Sequence, residues 1–149
     1  MTRYADSPFW APEVAAALDL FSERKAAAQS QANNLMLHDE LCARARAERD
    51  VYGYAELRLQ ALGEVTPELI EEVAQLRSLA GERARAQEAV GSPEYRLAVS
   101  VEQAYDQVET ILIRASSGQP LAADPKEAMA RAICTALGDN PDAQDEGQE

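Results

Sequence analysis

A chain of 149 residues with a formal net charge of −12 is long enough to bury one core, and too acidic for general binding along a phosphate backbone. Alanine is abundant, aromatic residues make up 5%, and β-branched residues are scarce outside positions 108–113, so the composition favours helix almost throughout. No apolar run approaches the ~20 residues that span a bilayer, and MTRYADSPFWAP lacks the apolar centre of a signal peptide, which points to a cytoplasmic protein.

The first helical pattern begins near Pro12, with Val14, Leu18, Phe21, Ala28, Ala32 and Leu35 at helical spacing. A second follows on Leu41, Ala45, Tyr52, Ala55, Leu59 and Leu62, with Asp39 as a candidate cap. Asn33-Asn34 favours a break between the two over one continuous helix, because asparagine is a poor helix former. Thr66-Pro67-Glu68 then opens a third helix through Leu69, Val73, Leu76 and Ala80 to about Val90, with Gly81 as a possible kink. Ser92-Pro93-Glu94 opens the fourth, and Asp124-Pro125-Lys126-Glu127 a short fifth over residues 125–137. Each of these starts is a side-chain acceptor, a proline at the first helical position and an acidic first turn. Gly63, Gly91, Gly118 and Gly138 stand where left-handed C-caps belong. Helices of about 24 residues, ~36 Å long, joined by turns this short must fold back on their neighbours.

The expected fold is therefore all-α: an antiparallel bundle of long helical hairpins in one domain over residues 1–138. An acidic tail over 139–149 lacks the apolar area to order itself. The arginines at 44, 46 and 49, and at 83 and 85, read as solvated helix faces.

Candidate chemistry is sparse. His38 and Cys42 are four apart, as two ligands on one helix face would be. The chain has one histidine and only one other cysteine, Cys134, so no structural metal and no cofactor are expected, and the pair reads as helix punctuation with a sequestered free thiol. Glu68, Glu71 and Glu72 on the third helix, with Glu102, Asp106 and Glu109 on the fourth, faintly resemble the paired acidic motifs of MazG-type nucleotide pyrophosphohydrolases. That resemblance implies a magnesium-dependent hydrolase, and it is the alternative reading. The second motif departs from the expected spacing, and basic groups to meet a triphosphate are few.

The fourth helix is apolar over more than one stripe. Leu97, Val101, Val108 and Ile111 share a seam, Tyr105 and Leu112 lie beside it, and Ile113 points away from both. An arc this wide is either central in a bundle or shared with another subunit. These seven residues are the candidate interface of a homo-oligomer, at least a dimer.

In order, "NNLMLHDELCARARAERD", "LGEVTPELIEEVAQLRSL" and "PEYRLAVSVEQAYDQVETIL" resemble the YlbF/YmcA family of small helical bacterial proteins. The resemblance covers most of residues 14–117. It implies a non-enzymatic regulatory adaptor that works through protein–protein contact, and the acidic charge and the lack of a spanning apolar run add the expectation of no direct nucleic-acid or membrane binding. In that family the contact modulates ribonuclease-dependent RNA processing and developmental regulation. Some members hold an iron–sulfur cluster on C-terminal cysteines, a feature from which this chain departs, since Cys134 stands alone there.

Overall fold

A computed structural model describes residues 3–34, 36–87 and 91–121. Among them the protein is all-helical: a 3-10 turn at Tyr4–Asp6, then α1 (Pro12–Ala32), α2 (Asp39–Leu62), α3 (Pro67–Arg85) and α4 (Pro93–Ser117). The fifth helix expected over 125–137, Cys134, Gly138 and the acidic tail lie outside the described residues.

The caps follow the sequence closely at three of the four starts. Thr66 Oγ1 accepts the Leu69 amide and Ser92 Oγ accepts the Tyr95 amide, both at 3.1 Å, with Pro67 and Pro93 just behind them. Pro12 opens α1 as expected, without a side-chain cap. At α2 the cap is His38, not Asp39. His38 Nδ1 accepts the Glu40 amide at 3.1 Å, and Asp39 becomes the first residue of the helix. Gly63 and Gly118 adopt φ of 74° and 73° as left-handed C-caps.

The break at Asn33-Asn34 is present, since α1 ends at Ala32 and α2 begins seven residues later at Asp39. Asn34 turns the chain by accepting the Met36 amide on its own side-chain oxygen. The Cys42 thiol faces the linker carbonyls of Asn34 and Leu37 at 3.6 and 3.9 Å. α3 stops at Arg85, short of Val90, where the Ala86 amide closes back on Glu82. Gly91 therefore precedes the Ser92 cap and does not close α3. At Gly81 the helix continues without interruption.

Every helix contributes to one core. Phe21, Leu18, Leu59, Leu69, Leu112, Val73 and Val108 are its largest fully buried side chains. α1 packs chiefly on α2, α3 on α4, and α2 on α4. Lys25 on α1 meets Glu56 on α2, and Gln29 meets Arg49, so later residues of α1 face earlier residues of α2. Polar bonds tie α2 to α4 at Arg44–Ser100, Glu40–Arg96 and Tyr52–Gln107. Arg44 and Arg49 are thus half-buried clasps between helices, whereas Arg46, Arg83 and Arg85 are exposed as the sequence suggested. No described helix is long and apolar enough to cross a membrane.

Three polar groups are buried in this core, and each has a partner. Asp19 accepts the backbone amides of Tyr4 and Ala5 at 2.7 and 3.1 Å. Glu56 accepts from the Tyr4 hydroxyl and from Lys25 at 2.7 and 2.5 Å. Ser100 accepts from Arg44 at 2.7 Å. The first two groups fasten residues 3–11 across the bundle, with Tyr4 and Trp10 packed on the core.

Candidate interaction surface

α4 divides its apolar arc in two. Val108, Ile111 and Leu112 are 0%, 3% and 1% exposed, because α1, α2 and α3 close over that side. As constituents of the core, these three cannot contact another subunit while the chain is folded, and that part of the expected interface is corrected. Leu97, Val101 and Tyr105 are half-buried, and Ile113 is 45% exposed. Ile113 stands apart, and the other three lie with Glu94 and Ala98 on a seam, Glu94, Leu97/Ala98, Val101, Tyr105, which repeats at three- and four-residue spacing along one helix face.

That seam borders a groove. Ala80 and Arg83 of α3, with Gln87 just beyond its end, form one side, and Glu94, Leu97, Ala98 and Val101 of α4 the other, around about 250 Å³ of mostly apolar space. Small residues make it possible. Ala80, Gly81 and Ala84 are buried small residues in the second half of α3, Gly81 lies against Glu102 of α4, and Ala98 takes little room on the facing wall. Arg83 and Glu94 stand exposed beside the groove, and neither has an ion-pair partner among the described residues. Burial pushes the Tyr105 phenol up from its ordinary value, and the Arg83 guanidinium works against that rise. The sequence marked Arg83 only as a solvated charge. The signal it held was the run of small residues at 80, 81 and 84, one face of α3.

The acidic residues are arranged differently. Glu72 accepts from Arg58 Nε at 2.9 Å and also from the Tyr54 hydroxyl. Those two bonds hold its carboxyl below the usual carboxylate range, and burial beside Glu72 pushes Tyr54 up to about 12. Asp106 and Glu109 both pair with Arg77, at 3.0 and 3.3 Å. Glu68 and Glu71 are exposed on the first turns of α3, and Glu102 lies against Gly81. Three of the six carboxylates are therefore engaged by arginines, and no group of three or more His, Cys, Asp or Glu converges as a metal site among the described residues. His38 and Cys42 do not converge either, being spent on the α2 cap and on the linker carbonyls.

No family model, curated protein or solved structure matches this chain.

Proposed function

We propose that this chain is a non-enzymatic adaptor of the YlbF/YmcA type: a cytoplasmic bundle of antiparallel helical hairpins that presents the accessible half of α4 to other proteins, itself included, in the control of RNA processing or development. The observation that carries the reading is the open apolar groove between α3 and α4. Leu97 and Val101 line it and are half-buried, with Tyr105 one turn further along the same helix face. A helix that keeps aliphatic side chains in such a groove has the makings of a helix-packing site for a partner. The resemblance of residues 59–112 to the family's second half supports the regulatory role.

Site-specific photo-crosslinking in the native cell tests it. A photoreactive residue replacing Val101 or Ile113 is expected to give discrete protein adducts. The same residue replacing Leu57, 67% exposed on α2, is expected to give few. Absence of adducts from both α4 positions would sink the reading.

A further inference from the structure

We propose that the groove seats a second copy of this chain, with the two α4 seams side by side about a two-fold axis and Arg83 of each copy against the partner's Glu94. The inference rests on the reading of α4 as the contact face and adds the partner and the register.

Charge argues for it. At a net charge of −12, two copies repel wherever acidic faces meet, so self-association needs a locally balanced patch. The groove is such a patch: among the described residues its lining holds one arginine, one glutamate and otherwise uncharged side chains. A two-fold contact is self-complementary, so a residue at one place meets a different residue of its partner and the reverse contact forms at the same time. One cation and one anion flanking the same apolar seam are what such an exchange requires. Leu97, Ala98 and Val101 provide the dry centre, and their spacing is that of a helix pairing with another helix.

The test exploits the exchange. Arg83→Glu and Glu94→Arg each place like charges opposite one another twice per dimer. Each is expected to raise the dimer dissociation constant, measured by analytical ultracentrifugation, by at least about tenfold. Mixing the two variants is expected to restore a dimer of near wild-type affinity, because both cross-contacts then join opposite charges. Both side chains are exposed, so the fold should survive. Circular dichroism reads separately any helix lost from the first turn of α4. A mixture that associates no better than the single variants overturns the proposal, as does a wild-type chain that remains monomeric at tens of micromolar. If the wild type is monomeric yet crosslinks through Val101 to a different protein, the adaptor reading stands and the self-pairing falls. If neither pairing nor crosslinking occurs, both fall.

Discussion

Tyr4 carries more of the structure than its place near the start of the sequence suggests. Its ring packs on the core edge-on to Trp10, its amide is held by Asp19, and its hydroxyl donates to the buried Glu56. Burial, then the hydrogen bond to Glu56, push its phenol up to about 12. An ordinary tyrosine ionises near 10, so the folded state favours the neutral phenol. The stability this contributes is fully present below about pH 10 and is lost as pH rises through about 12. Tyr4→Phe should cost roughly 1.5–3 kcal/mol at neutral pH, the worth of a hydrogen bond to a charged group, since it leaves the buried Glu56 without that donor. In paired thermal melts the wild type's advantage over the variant should shrink steadily between pH 10 and 12. A difference that stays constant across that window would show that the hydroxyl is not held as described. None of this network was legible in the sequence. Tyr4 and Asp19 are 15 residues apart and Tyr4 and Glu56 are 52 apart, and a polar residue inside an apolar stripe does not announce a distant donor.

At the scale of the element, punctuation was readable and surroundings were not. Thr66 and Ser92 cap as expected because the cap is a local bond, complete within three residues. The end of α3 was misplaced because its closure at Ala86 uses no marker residue. Gly81 shows the same divide. Its cost to a helix is local and predicts weakness, yet α3 continues through it, and the glycine lies where α4 comes close. A Cβ there would collide with the Glu102 carboxylate and come within 3.3 Å of the Arg85 guanidinium. Both are ends of flexible, partly exposed side chains, so they can swing away where backbone could not. Alanine in place of glycine gains about 1 kcal/mol of helix propensity. Gly81→Ala alone should therefore be near neutral, with that gain offset by moving Glu102. In a Glu102→Ala background the same change should stabilise by close to 1 kcal/mol. Denaturant melts of the four proteins close the cycle. A loss of more than about 2 kcal/mol in both backgrounds would mean that backbone, not Glu102, is what the glycine clears.

For the whole molecule the sequence overstated the surface it could offer. It read all seven apolar residues of α4 as one interface, although a helix with a wide arc spends the part facing its own neighbours first. Val108, Ile111 and Leu112 went to the core, Leu97 and Val101 to the groove, Tyr105 to the same face beyond it, and Ile113 to an exposed position elsewhere on the helix. Net charge then decides how such a surface behaves. For two chains of charge −12 with centres roughly 25 Å apart, the repulsion at 0.01 M salt, where the Debye length is 30 Å, is on the order of 10 kcal/mol. At 0.15 M the Debye length is 8 Å and the same repulsion falls to about 1 kcal/mol. The two Arg83–Glu94 contacts are exposed, so salt removes at most about 1 kcal/mol from each. Relief of the global repulsion is the larger effect, and dimerisation should strengthen as salt rises from 0.01 to 0.15 M. Above that range little charge is left to screen, and the apolar seam sets the affinity. Sedimentation velocity across a sodium chloride series measures this directly. A dimer that instead weakens over the lower range would place the binding energy in ion pairs, and Leu97, Ala98 and Val101 would lose their role as the centre of the contact.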